Sequence, residues 1–348
     1  MAKTASFKNA PWMRDAWYIA CEEKALKKKP LALTLLEEPL VLFRSSSGKV
    51  AALEDRCPHR SVPLSKGRVC GENIQCAYHG WQFGGDGVCR LVPALGDKME
   101  AQKARARAYP VREKHGFLWV YMDAEKPPAS EPVGFPLREV KSYQFFRYEM
   151  DFDAGMVATA ENILDVPHTS FLHKGLFRSG KLKPIDVEIR NHADRVEAEF
   201  FGEPRPKGIV GSILAPGGGV VRHVDRFILP SLAQVEYALG PYSHLMISNY
   251  LSPINRDVTR MFSEIGFRLP VGGGAVKRIV MPLAKRIADQ DYDILAAQQE
   301  TIEKFGEERL FSTSADVLGP RILQLLKRAS KADSKPLRRT NQKLTMYV

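Results

Sequence analysis

The chain has 348 residues, of which 44% are apolar and 26% are charged, as in an ordinary globular protein of two domains. No stretch reaches the ~20 apolar residues needed to cross a bilayer, so a membrane-spanning protein is excluded. The 51 basic and 40 acidic residues give a net charge of +11, which favours acidic partners or substrates. No nucleic-acid recognition motif accompanies this charge, and we expect no nucleic-acid partner.

The N-terminus lacks the apolar core of a signal peptide, because Lys3, Lys8 and Arg14 interrupt it. The five cysteines form no disulfide framework, which is typical of a protein in a reducing compartment. We therefore expect a soluble cytoplasmic protein. No P-loop and no GxGxxG fingerprint is present, so electrons for any redox reaction would have to come from another protein.

Residues 31–128 contain short apolar runs broken by Gly and Pro, such as residues 39–43 and 116–121, and this pattern predicts an all-β domain. Prolines at 127, 128 and 132 predict a linker. Beyond it, the alternating segments 187–190 and 196–200 predict strands, and a long helix is expected after Asp291. The sequence therefore predicts an α+β chain of two domains.

Two ligand pairs lie in the all-β region, Cys57-Pro58-His59 and Cys76-Ala77-Tyr78-His79. In a Rieske-type [2Fe-2S] cluster, two Cys hold one iron and two His replace Cys on the other. Zinc is the alternative, but zinc ligand pairs usually leave two to four residues between them. The single residue between Cys57 and His59 is too short for that, which favours the binuclear cluster.

The residues around these ligands, CPHRSVPLSKGRV and CAYHGWQFGGDGVCRLVPA, resemble the Rieske domain of the oxygenases grouped with pheophorbide a oxygenase and the vanillate O-demethylase oxygenase component. The resemblance implies a Rieske domain over residues 31–128. It also implies a helix-grip catalytic domain with a central antiparallel sheet over residues 135–348. Residues 1–30 are expected to form an N-terminal segment that packs on the catalytic domain.

A second metal site is predicted by Asp165-x₂-His168-x₄-His173, the pattern by which these oxygenases supply two His ligands to a mononuclear iron. Such a site needs two imidazoles and one carboxylate on one face of the metal. A regular helix would place the two His about 140° apart. We therefore expect an irregular segment, either a π-bulge or a break near Pro167.

The carboxylate ligand has to come from elsewhere, and the family pattern falls on Asp291, with Asp289 and Asp293 as alternatives. An acidic cluster at a helix start is also ordinary capping chemistry. By resemblance, Asp165 hydrogen-bonds a ligand His and bridges the electron path to a Rieske His of the neighbouring subunit. Asn162 matches a polar position near the iron.

The resemblance implies the terminal oxygenase of a Rieske non-haem iron system. It would use O₂, a [2Fe-2S] cluster and mononuclear Fe(II) to hydroxylate or O-demethylate an aromatic or polycyclic small molecule, with dioxygenation not excluded. Electrons would come from NAD(P)H through a separate ferredoxin or flavin-dependent reductase, and a head-to-tail homotrimer is expected. The alternatives are a desaturase or oxidative cyclase, an electron-transfer protein that uses only the cluster, and a zinc-binding structural module.

Two surfaces have candidate roles. Basic residues at period two, Lys103, Arg105 and Arg107, would place three cations on one strand face, and the tail from 327 to 343 is also basic. Either patch could dock a reductase or be solvated surface charge.

Candidates to line a substrate pocket, or else to pack within the sheet, lie in the second domain. These are Phe200, Phe201, His223, Tyr237, Tyr242, His244, Met246 and Asn249.

Overall fold

The computed structural model describes residues 6–96, 103–174, 182–203, 221–239, 243–269, 273–331 and 342–348. The chain divides into two compact units. The smaller unit is Arg14–Gly134, and the larger unit combines Met1–Met13 with Phe135–Val348.

The smaller unit is built from three antiparallel sheets. The first sheet has the order β1 (Trp17–Glu22), β11 (Phe117–Tyr121), β10 (Val111–Lys114). The second has the order β2 (Leu31–Leu35), β3 (Glu38–Arg44), β4 (Val50–Glu54), β9 (Ala108–Tyr109). The third has the order β5 (Arg68–Cys70), β6 (Asn73–Gln75), β7 (Gln82–Phe83), β8 (Cys89–Leu91). The all-β prediction for this region agrees with these sheets.

The limits of the units differ from the predicted domain limits at the N-terminal end. Strand β1 pairs with β11 inside the smaller unit, with Trp17 opposite Tyr121. This backbone pairing fixes residues from Arg14 onward in the smaller unit, so the expected N-terminal segment of residues 1–30 is divided between the two units. The next division falls before Phe135, the first residue of the predicted catalytic domain.

The larger unit is organised by one eight-stranded antiparallel sheet, of order β12-β18-β17-β16-β15-β14-β13-β19. Its strands are β12 (Gln144–Phe152), β13 (Pro184–Asn191), β14 (Arg195–Phe201), β15 (Val221–Ile228), β16 (Leu232–Leu239), β17 (His244–Pro253), β18 (Thr259–Arg268) and β19 (Gln342–Tyr347). The helices are α1 (Met156–Leu164), α2 (Gly273–Phe305) and α3 (Gly319–Ala329). This is the antiparallel sheet with helices that the α+β prediction required.

The two faces of this sheet differ in chemistry because strand side chains alternate. One face, the core face, joins helices α1 and α3 in the main apolar cluster of the unit. The opposite face, the charged face, carries a ladder of ion pairs across the strands. In this ladder Arg190 contacts Glu197 and Glu199, and Arg226 contacts Glu197 and Glu236.

Helix α2 differs from the sequence-based expectation. It begins at Gly273, continues past Pro282 and includes Asp291, so Asp291 lies inside the helix and not before its start. Residues two apart on a helix point about 200° away from each other. Accordingly Asp291 is buried, whereas Asp289 and Asp293 on either side of it are exposed.

All five cysteines are free thiols. Within the described ranges, no helix combines the length and the hydropathy required of a membrane span.

Candidate metal centres

The two Cys–His loops of the smaller unit share one backbone design. The N–H of Cys57 donates to the carbonyl of Val62 at 2.8 Å, and the N–H of Cys76 donates to the carbonyl of Trp81 at the same distance. Each loop closes on a residue with positive φ, Ser61 at 60° and Gly80 at 74°. A glycine satisfies that conformation without strain at the second position. The sequence therefore folds two matched turns that present one Cys and one His each.

The four predicted cluster residues are brought together by these turns. The Cys57 and Cys76 side chains are buried, at 2% and 3% exposure, and lie close to one another. The His59 and His79 rings lie with their centroids 4.6 Å apart. His79 is exposed and His59 is half-buried, so the imidazole side of the site faces outward.

Trp81 stacks on His59, with ring centroids 4.4 Å apart and ring planes 6° from parallel. The indole therefore covers one side of a predicted cluster ligand. This contact fits a role of Trp81 in shielding the site from water.

The donor set fits a binuclear cluster. Burial, together with the neighbouring Cys76 thiol, raises the pKa of Cys57 to about 11, and the two sulfur atoms lie side by side in a buried site. A metal centre would bind both sulfurs as thiolates, because thiolate is the ligand form. Within the described ranges, the four residues do not gather three ligand atoms within 4.8 Å of one another, as a single zinc ion would require. Ligands divided between two irons do not need that compactness.

The segment that carries the two predicted iron-binding His is irregular, as expected. Helix α1 ends at Leu164, and Asp165 is extended, with φ −91° and ψ 105°. A short 3₁₀ helix then covers Pro167–Ser170. The break lies near Pro167, which confirms the prediction of an irregular segment and selects the break over the π-bulge.

The predicted ligand atoms of this second site form a compact triangle. His168 Nε2 lies 3.2 Å from His173 Nε2. Asp291 Oδ1 lies 3.1 Å from His173 Nε2 and 3.6 Å from His168 Nε2. In the described part of the chain, this is the one group of three such side chains whose ligand atoms all lie within 4.8 Å of one another. Asp289 and Asp293 do not join it.

This triangle fits a metal ion. Bonds of about 2.1 Å at right angles place neighbouring ligand atoms about 3 Å apart, close to the edges of the triangle. Asp291 Oδ1 is buried and makes no hydrogen bond, although it lies so near His173. A buried carboxylate oxygen is rarely left without a partner, and a cation at the centre of the triangle would supply one.

Gln290, which the sequence analysis did not single out, orients one ligand. Its Oε1 lies 2.9 Å from His173 Nδ1. An N–H donated from Nδ1 to this oxygen leaves Nε2 with its lone pair directed at the triangle. Burial lowers the pKa of His173, but the negative charge of the nearby Asp291 carboxylate outweighs burial, and the net pKa is raised. The only sequence signal for Gln290 was its position next to Asp291.

Asp165 contacts the same site from the other side. Its Oδ2 accepts the backbone N–H of His168 at 3.1 Å and lies 3.3 Å from Nδ1 of the same ring. The side chain is 28% exposed, so one carboxylate touches a predicted ligand and also reaches the surface. Asn162 lies one turn earlier, and its Oδ1 is buried without a hydrogen bond.

Asp165 and His168 line a groove of about 1180 Å³ between α1, the end of α2 and the segment after it. We call it the acidic groove, because its lining includes the carboxylates of Glu161, Asp165, Glu307, Glu308 and Asp316. Burial, with help from the charges of Asp165, Asp316 and Glu308, raises the pKa of Glu161 to about 8. Glu161 is therefore largely uncharged near pH 7, and the negative charge of the groove beside the predicted iron ligands comes from the other four carboxylates, with Arg309 as a cation in the same lining.

Side-chain alternation divides the candidate pocket residues between the two faces of the sheet. The register places Phe200, His223, Tyr237 and Asn249 on the core face. Phe201, His244 and Met246 point to the charged face, so these three do not face the core, and Tyr242 lies outside the described residues.

The basic residues at 103, 105 and 107 are all exposed, as the period-two pattern predicts. Most of the basic tail from 327 to 343 lies outside the described residues.

Comparison with known families matches both units. Residues 16–110 match the Rieske [2Fe-2S] domain, and residues 152–332 match the vanillate O-demethylase oxygenase C-terminal domain. The second match covers the segment with His168 and His173 and also Asp291.

Among characterised proteins, the chain is similar to methylxanthine N1-demethylase NdmA of Pseudomonas putida, at 32% identity over 260 residues, 72% of each chain. It is 31% identical over 181 residues to the oxygenase component of dicamba O-demethylase from Stenotrophomonas maltophilia. That match covers 51% of this chain and 52% of the relative, so it spans about half of the relative's length.

The structure of Pseudomonas putida NdmA with caffeine superposes with a TM-score of 0.78, over 94% of this chain and 96% of the other, at 22% identity. At this level of identity the superposition shows a shared fold, which agrees with the predicted helix-grip architecture.

Proposed function

The chain belongs to the Rieske oxygenases whose catalytic domain is of the vanillate O-demethylase type, and we propose that it is the terminal oxygenase of a Rieske non-haem iron system. In this role it uses O₂ and electrons from a ferredoxin or a flavin-dependent reductase to hydroxylate or O-demethylate an aromatic or polycyclic compound. The observation that carries the proposal is the compact triangle of His168, His173 and Asp291 in a chain that also has a Rieske domain.

We assign the [2Fe-2S] cluster to Cys57, His59, Cys76 and His79, and the mononuclear Fe(II) to the triangle. When bound, the cluster supplies single electrons and the Fe(II) activates O₂. The protein holds the ligands in place: the turns of the two loops fix the Cys and His side chains, and Gln290 fixes the His173 ring. The near-complete burial of His173 and Asp291 limits the access of bulk water to the triangle.

Asp165 is proposed as the bridge by which electrons reach the triangle from the cluster of a second copy of the chain. The cluster loops carry the exposed cations Arg56 and Arg60 and the exposed Tyr78 ring beside His79. The acidic groove around Asp165 has the opposite charge, which favours docking of these loops. A head-to-tail contact of this kind closes into a ring, and we propose a homotrimer. A strict monomer in light scattering that still turned over would contradict it.

The reductase is proposed to dock at the exposed cations Lys103, Arg105 and Arg107. An acidic electron carrier would approach them by long-range attraction, which salt screens. Raising the salt concentration should therefore slow reductase-coupled turnover. A rate that does not depend on salt would remove the patch from the proposal.

Both relatives described above are named as demethylases, which supports oxidative demethylation as the reaction class. In such a reaction one atom of O₂ enters the methyl carbon, which leaves as formaldehyde, and the other atom becomes water. The test is turnover of methoxyarenes under oxygen-18 with a surrogate reductase. Label in the product or in formaldehyde is the expected result. O₂ uptake with an unlabelled, dehydrogenated product would identify a desaturase, and no uptake would leave an electron carrier.

A further inference from the structure

Three polar side chains lie side by side on three adjacent strands of the core face of the eight-stranded sheet. Tyr148 on β12 stands opposite Ser263 on β18, and Ser263 stands opposite Asn249 on β17. Directly opposed residues of antiparallel strands lie about 5 Å apart and point to the same face. The three side chains therefore form one continuous row, which we call the polar row. The same register continues into Ala233 and Phe227, which are apolar.

The polar row is flanked by apolar side chains along the strands. On one side lie Met150, Met261 and Leu251. On the other side lie Phe146, Ile265 and Ile247. The polar groups are therefore an island on an apolar surface, and neighbouring strands do not explain their presence.

Two members of the polar row are deeply buried and unsatisfied. Asn249 is 3% exposed and its Oδ1 has no hydrogen-bond partner. Ser263 is 0% exposed, and its Oγ lies near the Tyr148 hydroxyl without hydrogen-bond geometry. Buried polar atoms are nearly always paired, because a lone one destabilises the fold. A pair of such atoms on one row indicates that a ligand supplies the missing partners.

The polar row begins on β12, the strand that packs against α2, and α2 carries the proposed iron ligand Asp291. In agreement with this packing, burial and the negative charge of Asp291 raise the pKa of Tyr148. A ligand bound along the row would therefore have one end near the triangle and a polar group toward Asn249. The apolar rows on both sides suit a flat hydrocarbon body between these ends.

The charges of the core face decide what kind of polar group fits. Across the described strands of the sheet, no Lys or Arg points to this face. Its one imidazole, His223, lies 2.8 Å from Asp225 and 2.7 Å from Glu203, so two carboxylates already match it. A carboxylate ligand buried against these described strands would find no unpaired cation on them and would lose its hydration.

We propose, resting on the oxygenase function above, that the polar row selects neutral aromatic substrates with an uncharged hydrogen-bond donor, such as an amide N–H or a hydroxyl, over aromatic carboxylates. Asn249 Oδ1 accepts from that donor. The Ser263 and Tyr148 hydroxyls, which can donate or accept, complete the contact with the carbonyl or hydroxyl oxygen. Asn249 is then a specificity-determining residue.

Binding is measured by calorimetry on the metal-loaded protein without O₂ or reductase, with two matched probe pairs: benzamide and benzoate, and 2-naphthamide and 2-naphthoate. Each amide should bind about tenfold or more tightly than its carboxylate. Asn249→Leu should weaken the amides by about tenfold. The same substitution should raise the unfolding midpoint of the free protein, because an unpaired buried amide is replaced by an apolar group. A purely structural Asn249 would give a lower midpoint.

Ser248→Ala is the matched control, because Ser248 neighbours Asn249 but points to the charged face and is hydrogen-bonded to Gln234. It should leave amide binding unchanged. The proposal is overturned if a carboxylate binds as tightly as its amide, if Asn249→Leu leaves amide binding intact, or if neither amide binds at millimolar concentration. Failure of the oxygenase function would look different, since the amides would still bind and Asn249→Leu would still weaken them while no product formed with O₂.

Discussion

Asp165 Oδ2 lies 3.3 Å from Nδ1 of His168 and accepts the backbone N–H of the same residue at 3.1 Å. These two contacts hold one carboxylate against a proposed iron ligand while part of the side chain remains at the surface of the acidic groove. A neighbouring copy of the chain can reach Asp165 without opening the triangle. The relationship gives the proposed electron route a defined physical path through a single side chain.

Asp165→Asn tests this path. Asparagine can still accept the His168 backbone N–H, so the local fold should survive, but the negative charge against the ring is lost. We expect both metal centres to load normally and the rate of cluster reoxidation by O₂ with substrate to fall about 100-fold, the upper range for residues that orient metal ligands. Stopped-flow absorbance of the reduced cluster measures this rate.

The control for the electron path is Glu300→Gln, which removes an exposed carboxylate of α2 that does not line the acidic groove. It should change the reoxidation rate little. Equal rates in wild type and Asp165→Asn would remove Asp165 from the electron path.

Gln290→Leu tests the orientation of His173. Leucine cannot accept the Nδ1–H, and the ring would lose the contact that directs Nε2 toward the triangle. We expect Fe(II) affinity of the mononuclear site to fall about 10- to 100-fold, with the cluster unaffected. Competition with a colorimetric chelator measures the affinity. Gln298→Leu, an exposed position two turns later on α2, should bind Fe(II) like wild type. If both variants bind equally, Gln290 has no such role.

The raised pKa of Glu161 predicts that the free energy of unfolding depends on pH. This pKa is about 8 in the folded protein against 4.5 when unperturbed, so the folded state keeps a proton that the unfolded state releases. This raised acidic pKa makes the fold less stable as pH rises from about 4.5 to 8. Glu161→Gln should remove that loss and stabilise the protein at pH 8 by about 2 kcal/mol, with little effect at pH 5.

Urea unfolding at both pH values measures the effect of Glu161→Gln, and Glu300→Gln on the exposed side of α2 is the control. A gain in the free energy of unfolding that is equal at pH 5 and pH 8 would show that the titration of Glu161 is not its cause.

The ion pairs of Arg190 predict a contribution to stability whose pH dependence is opposite to that of Glu161. Burial raises the pKa of Glu197, but Arg190 and His192 outweigh it and lower the pKa to about 2. A lowered acidic pKa stabilises the fold above about 4.5, and this contribution is lost as pH falls toward 2. Arg190→Met should therefore destabilise the protein by about 2 kcal/mol at pH 7 and by less at pH 3. The loss at pH 7 stays moderate because other cations still contact both carboxylates.

The control for the charged face is Arg260→Met, whose partners Asp151 and Glu149 are exposed. Its effect at pH 7 should stay below about 1 kcal/mol. Denaturant unfolding at pH 3 and pH 7 measures both variants, and a loss at Arg190 that does not change with pH would contradict the ion-pair account.

Much of the cluster site and of the mononuclear iron site could be predicted from the sequence, because the spacing of most of their ligands is local. Cys57-x-His59 and the Asp165–His173 segment are short enough for turn and helix geometry to limit what they can do. The break near Pro167 was predicted because a regular helix would have separated the two His by about 140°. The strands of the larger sheet were found where residues alternate, as at residues 187–190 and 196–200.

Other features depend on contacts between distant segments, and local patterns do not encode them. The pairing of β1 with β11 moved residues 14–30 into the smaller unit. Asp291 was expected before a helix and lies within one, because α2 continues through Pro282. The roles of Gln290 and of the polar row became visible only when the sheet register and the packing of α2 were known.

Metal content is the most direct test of the central claim, that one chain holds both a Rieske cluster and a mononuclear iron. Iron and acid-labile sulfide are measured on anaerobically prepared protein and on Asp291→Ala, with electron paramagnetic resonance of the reduced cluster. The account predicts three iron and two sulfide per wild-type chain with a Rieske signal, and two iron with the same signal in the variant. Two iron in wild type that stay at two after Fe(II) is supplied would contradict it.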